Sequence, residues 1–472
     1  MAWIGVDLGT QSVRAVLVDA DGTVLARAAR PLTSRRSDNR HEQDPSDWLT
    51  AVDQVLAEVS SKEVEGLAIC STSGTVLLTD QTGRPVTPAL MYDDARAADL
   101  LPRVRAADPD RWATSMQPTW ALPKILWLNP QEPNTAELNP RGRRIAHSAD
   151  VVAADLAGHP VATDTSHALK TGYDLTVDAW PQQAFDKLGL PAELLPEVVL
   201  PGTVIGHVSA AKAQVTGVPE GTPIMAGMTD GCAAQLAAGA LTPGAWNSVL
   251  GTTLVLKGVT KDLIVDPTGA VYSHRHPDGG WLPGGASNTG AGALTTMLPG
   301  ADLDALDRAA IDLTAGRGPI DATIYPLTKP GERFPFVAPD AQGFELGDVP
   351  DELHRYVAVQ QGVAFIERLA FEHLADLGAE SPRSVSLTGG AVRSEHWNQL
   401  RADVLGVPVE LPAAPDPAYG MAVLAASAGG SVADTASRMV RTARVIEPRP
   451  QPKLTDLYYE FVAELDRRGY RG

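Results

Sequence analysis

Trp3-Ile4-Gly5-Val6-Asp7-Leu8-Gly9-Thr10-Gln11-Ser12-Val13-Arg14-Ala15-Val16-Leu17-Val18 holds two apolar runs with a polar break between them. It predicts strands over 3–6 and 13–18. A third follows over 23–27, after the turn pair Asp21-Gly22, so the chain opens as a β-meander. The break is the unusual part. Asp7 ends a buried-looking strand, where a carboxylate is costly unless a cation or hydrogen-bonding ligand lies beside it. Gly9 lets backbone N–H groups turn into one concavity. A turn-capping aspartate is the plainer alternative for Asp7, and an exposed strand arginine is the plainer alternative to a phosphate contact for Arg14.

The pattern recurs far downstream. Asn247-Ser248-Val249-Leu250, then Gly251-Thr252-Thr253, then Leu254-Val255-Leu256-Lys257 again reads strand, Leu-Gly-Thr, strand. The two copies stand near the starts of the two halves of the chain, which points to a duplicated architecture. Between and after them, strand-like runs (66–70, 76–79, 384–387) alternate with helix-like stretches (47–59, 120–128, 357–377), the signature of α/β layering. The division expected is 1–240, 241–430 and a helical tail, 431–472. In the tail, Leu454, Leu457, Phe461 and Leu465 share one helical face, suited to core packing or to a dimer contact. The chain is therefore expected as a monomer or homodimer.

Length and charge narrow the class. At 472 residues with 44% apolar content, the chain buries large cores and is not disordered. Its 57 acidic against 39 basic residues give a net charge of −18, a field that repels nucleic acid and anionic membranes. Phosphorylated ligands must then be held by local backbone dipoles and metal ions. Cys70 and Cys232 are the only cysteines, and reduced thiols in a cytoplasm are the simpler expectation. Asp7 interrupts the opening apolar run, so no signal peptide is expected, and no run of eighteen apolar residues spans a membrane.

There is no Gly-Lys dipeptide for a Walker A loop, no complete G-x-G-x-x-G after a strand, no zinc-type cysteine pair and no H-E-x-x-H. What remains is the pair of Leu-Gly-Thr hairpins and Thr388-Gly389-Gly390-Ala391, read as a strand turning into a helix. Together they can grip a polyphosphate without lysines. Asp230, in Gly227-Met228-Thr229-Asp230-Gly231, stands at a strand-to-helix junction. It suits a helix N-cap or a base that accepts a hydroxyl proton.

In this order these segments resemble the FGGY carbohydrate kinases of the actin-like ATPase superfamily, over nearly the whole chain. The resemblance implies an α/β fold of two duplicated actin-like, ribonuclease H-like domains with a central cleft that closes on sugar and ATP. Asp7-Leu8-Gly9-Thr10 with Gln11 and Arg14 is similar to the family's first phosphate motif, and Gly251-Thr252-Thr253 to its second. Gly389-Gly390-Ala391 through Ser394 and Trp397 is similar to the adenosine motif, with Ala391 where a third glycine is usual. The resemblance makes Asp230 the catalytic base and Asp7 the residue that positions Mg²⁺, partly through water. It places the sugar near Asp7, Thr72, Ser73 and Asp230, with Asp93 or Asp94 also fixing its hydroxyls. Xylulose kinases of the family carry Gln-Met-His-Gly where this chain has Ser71-Thr72-Ser73-Gly74. The 72–78 run and stretches such as Gly331-Glu332-Arg333-Phe334-Pro335 are instead similar to the subgroup that phosphorylates D-ribulose. The expected partners are ATP and a small sugar, with D-ribulose as acceptor. Another pentulose or polyol (D-xylulose, L-ribulose), or a non-catalytic nucleotide-binding regulator, is the alternative. His274 reads as a structural strand histidine or a substrate contact.

Overall fold

The opening meander forms, with every strand longer than expected: Ala2–Leu8, Ser12–Asp19 and Val24–Pro31. Asp7 is consequently inside its strand, one residue from the end. The computed structural model describes residues 1–129 and 142–471. They fall into two units, one of Met1–Ala237, His274–Gly279 and Asp416–Val440, the other of Ala238–Ser273, Gly280–Pro415 and Arg441–Gly472.

In the first unit the sheet order is Val204–His207, Pro223–Met225, Val64–Ser71, Ala2–Leu8, Ser12–Asp19, Val24–Pro31. Ala2–Leu8 runs parallel to Val64–Ser71, which sets Asp7 opposite Cys70 and Leu8 opposite Ser71. Ser71 in turn bridges Thr229 in parallel sense. The loops after residues 8, 71 and 229 therefore leave one edge of the sheet, the carboxyl ends of its parallel strands, where open α/β sheets bind ligands.

Helix Pro45–Val59, capped by Asp44 with Pro45 at its first turn, buries Trp48, Val52, Val55, Leu56 and Val59 in the core that also contains Ile4, Val6 and Leu17. Helix Pro417–Ala426 is different, because it is built from small and apolar residues and buried nearly throughout. A Cβ on Gly5 would lie 1.7 Å from the Ala418 carbonyl oxygen, and one on Gly420 would lie 2.0 Å from that of Ala233. Backbone meets backbone at both places. This packing assigns Asp416–Val440 to the first unit, although linear order places it beside the segments of the second.

The second unit repeats the scheme. Its sheet order, beginning at Trp281–Ala286, is Trp281–Ala286, Leu254–Gly258, Trp246–Leu250, Val385–Thr388, Val409–Pro412, Thr442–Ile446. Trp246–Leu250 is antiparallel to Leu254–Gly258 and parallel to Val385–Thr388, as Ala2–Leu8 is to its own two neighbours. In both sheets three antiparallel strands adjoin two parallel strands and an antiparallel edge strand. The C-terminal helix Pro452–Arg467 lays Leu454, Tyr458, Phe461 and Leu465 into the core of this unit with Tyr325 and Phe365. Among the described residues no helix is long and apolar enough to cross a membrane.

Candidate active site

Asp7 is 5% exposed, with Arg14 Nη1 at 3.6 Å from Oδ2 and the Cys70 thiol 3.6 Å from Oδ1. Burial, then the charges of Asp230 and Asp416, push its carboxyl up to about 7, against the opposing pull of Arg14. Three carboxylates thus share one field with a single nearby guanidinium. Among the described residues no group of three metal-ligating side chains is assembled to hold an ion by itself. That donor set fits Mg²⁺, which binds through one or two carboxylates and completes its shell with water and phosphate.

Asp230 is half-buried and opens helix Asp230–Ala237, with Oδ1 accepting the Gly231 N–H at 2.7 Å. The cap is the preceding residue: the Thr229 carbonyl accepts the N–H groups of Cys232 and Ala233, both at 2.9 Å. Asp230 therefore stands one position inside the helix, where the helix dipole favours an ionised carboxylate. In the loop at 71–74, Ser71 Oγ lies 2.8 Å from His167 Nε2 and Thr72 Oγ1 lies 2.6 Å from Thr75 Oγ1. Ser73 Oγ, though buried, has no partner among the described residues.

Asp93 is paired with Arg36 and His41. Asp94 is paired with Arg96 at 2.8 Å and accepts the His41 N–H at 2.6 Å. A sugar hydroxyl reaching either carboxylate would compete with these pairs. In the loop after Leu8, the Gly9 N–H closes its own turn on the Ser12 carbonyl at 3.1 Å. Among the described residues none accepts from the N–H groups of Thr10 and Gln11, which are the donors left for a ligand.

The second unit presents the matching loops. Leu250 and Thr388 end neighbouring parallel strands, so Gly251-Thr252-Thr253 and Gly389-Gly390-Ala391 emerge side by side. Gly251 repeats the turn, its N–H donating to the Thr253 carbonyl at 3.1 Å. Gly389 has φ +91°, and a Cβ there would meet the Leu250 carbonyl oxygen at 2.6 Å. Gly251 and Gly390 face open space instead, room for a ligand to approach the backbone.

The strand at 385–388 leads through the Gly-Gly turn into a helix, as the sequence suggests. A 3₁₀ turn, Gly390–Arg393, intervenes, and Ser394 caps helix Glu395–Leu405, accepting the Trp397 N–H at 2.9 Å. Ser394 Oγ also bonds Asp307. Trp397 is 1% exposed and its Nε1–H donates to the Gln360 carbonyl at 3.2 Å. Its indole is packed in the core of this unit. His274 is buried in its strand.

Sequence reasoning missed Asp416 and His167. Asp416-Pro417 is a legible helix start, but nothing local says that its charge reaches Asp7.

Two family models cover the chain: the N-terminal domain of the FGGY family of carbohydrate kinases over residues 2–237, and the C-terminal domain of the same family over 246–429. The chain belongs to the FGGY family of carbohydrate kinases. This FGGY kinase is 30% identical to a xylulose kinase of Streptomyces rubiginosus over 87% of its own length and 84% of that protein. It is 27% identical to an autoinducer-2 kinase of Escherichia coli O9:H4 over 95% and 90% of the two chains. A solved xylulose kinase from Rhodospirillum rubrum superposes with a TM-score of 0.86 at 27% identity, covering 99% of each chain.

Proposed function

We propose that the kinase transfers the γ-phosphoryl group of ATP to the terminal hydroxyl of a ketopentose, with D-ribulose as its acceptor. The observation that carries this reading is the loop at 71–74, where a small hydroxyl, Ser73 Oγ, is buried without a partner among the described residues. The strand carrying that loop is bridged to the residue before Asp230. A sugar hydroxyl would complete Ser73, and a site that must pair its buried polar groups rejects sugars lacking the matching hydroxyl.

As the sugar oxygen bonds to the γ-phosphorus and the bond to the β-phosphate oxygen breaks, Asp230 accepts the hydroxyl proton and ADP leaves. Thr10, Gln11, Thr252 and Thr253 would offer N–H and hydroxyl donors to the phosphates, and the open faces of Gly251 and Gly390 leave room for the nucleotide. Asp7 would hold Mg²⁺, which offsets phosphate charge when bound. D-xylulose is the second reading, favoured by relatives named xylulose kinases.

ADP release from Mg-ATP across D-ribulose, D-xylulose, L-ribulose, ribitol and glycerol tests the proposal. The expected result is a signal strongest with D-ribulose and lowered about 10²–10⁴-fold in Asp230→Asn. A D-xylulose preference would replace the acceptor, and full activity in Asp230→Asn would remove the assigned base.

A further inference from the structure

Behind the two loops lies a buried hydrogen-bonded chain that the transfer mechanism does not use. Asp164 is 2% exposed and His167 0%. One Asp164 oxygen, Oδ2, takes His167 Nδ1, and His167 Nε2 lies 2.8 Å from Ser71 Oγ. The other oxygen, Oδ1, accepts the Ser166 hydroxyl and the N–H groups of Ser166 and His167 at 2.8 and 3.1 Å. Ser166 Oγ in turn accepts the Thr229 N–H at 2.8 Å. One carboxylate thus reaches the sugar loop through His167 and the residue before the base through Ser166.

A second buried imidazole braces the same segment. His147 Nδ1 lies 2.9 Å from both Asp150 Oδ2 and Thr163 Oγ1, its Nε2 lies 2.8 Å from Thr171 Oγ1, and its ring centroid is 5.6 Å from that of His167. Burial opposes charge on both members of the pair. Even so, the His167 charge and hydrogen bonds hold the Asp164 carboxyl below its usual range, while Asp164, Asp150 and Asp230 hold His167 above its own.

We propose that Asp164 and His167 are positioning residues that set the sugar loop at 71–73 against Asp230, the His167–Ser71 arm governing sugar binding and the Ser166–Thr229 arm governing placement of the base. The inference rests on the kinase reading above. Displacing a reacting group by about 1 Å is enough to cost on the order of 10²-fold in rate, so a fully packed hydrogen-bonded pair is a suitable device for holding that geometry.

The test uses the full chain and the sugar it turns over fastest. His167→Asn keeps a donor for Asp164 and loses Ser71; Ser71→Ala cuts the same arm from the other end and serves if His167→Asn does not fold. Both are expected to raise the sugar KM about 10-fold while the ATP KM stays within about twofold. His167→Gln, whose amide reaches Ser71 as Nε2 does, is expected to lose thermal stability yet keep the sugar KM within about threefold of wild type. Ser166→Ala is expected to lower kcat about 10-fold with little change in sugar KM.

Sugar and ATP KM rising together, or a sugar KM unmoved in both arm-cutting variants, would overturn the proposal. Proton NMR with ¹⁵N-histidine reads the pair without turnover: a far-downfield imidazole proton is expected in wild type and lost in Asp164→Asn, and its absence from wild type overturns the pair. If that proton is present and no sugar is phosphorylated, the kinase reading fails instead.

Discussion

Asp7 ties the pH response of the ligand-free kinase to its chemistry. The ordinary value for this carboxyl is 3.8, and in the folded chain it is pushed up to about 7 by burial and by Asp230 and Asp416. Between those values the folded chain holds a proton that the unfolded chain has released, so stability falls as pH rises from about 4 through about 7. Asp7→Asn, which has no charge to bury, is expected to melt at a higher temperature than wild type at pH 8, with an advantage on the order of 2–4 kcal/mol that vanishes near pH 4. Thermal melts across that range check it; equal pH slopes in the two proteins would assign the effect elsewhere. Mg-ATP should narrow the gap by restoring wild-type stability. Ser73→Ala is expected to raise the sugar KM about 10-fold at constant ATP KM, the value of one buried hydrogen bond; steady-state kinetics decide it. Asp7 and Asp230 were legible because each breaks a local pattern, an acid in an apolar strand and an acid at a small-residue junction. His167 was not, because its contact with Ser71 spans 96 residues and its own neighbourhood reads as an ordinary helix turn.

Among elements, helix Pro417–Ala426 is held by backbone-to-backbone packing on two sides. Its contacts with Ala2–Leu8 and Asp230–Ala237 leave no room for a Cβ at Gly5 or Gly420, so it fixes the strand that carries Asp7 relative to the helix that carries Asp230. Gly420→Ala is expected to cost about 3 kcal/mol or more and to lower activity, because the helix must move off Asp230–Ala237. Chemical denaturation and turnover, measured together, test this; native stability in that variant would mean that the close approach is relieved without consequence. Nothing in the sequence of this helix names the strand and helix that it packs between. Periodicity handled the hairpins better, because a strand pair with a short turn is decided by residues next to each other. The order strand, Gly-Gly turn, helix at 385–405 was legible for the same reason, and the structure adds that the turn is 3₁₀ and that Ser394 caps the helix.

Across the whole chain, the shared order of the two sheets is the duplication that two short Leu-Gly-Thr hairpins had suggested. The assignment of 416–440 was hidden, since linear order says nothing about a segment that returns to a unit begun four hundred residues earlier. A chain ended after Ala237 is expected to remain unfolded and bind a dye for exposed apolar surface. The same chain with 416–440 joined through a Gly/Ser linker should recover a cooperative melt. Equal behaviour of the two would show that the returning helix is dispensable. That return also sets a clock. Ribosomes add about 5–20 residues per second, so helix Pro417–Ala426 is synthesised roughly 10–40 s after residue 237. For that interval the nascent sheet carries Asp7 with one face uncovered, and the first unit waits until most of the second has been synthesised. Chaperone capture during synthesis, and sensitivity of yield to translation speed, follow from where one small-residue helix is encoded.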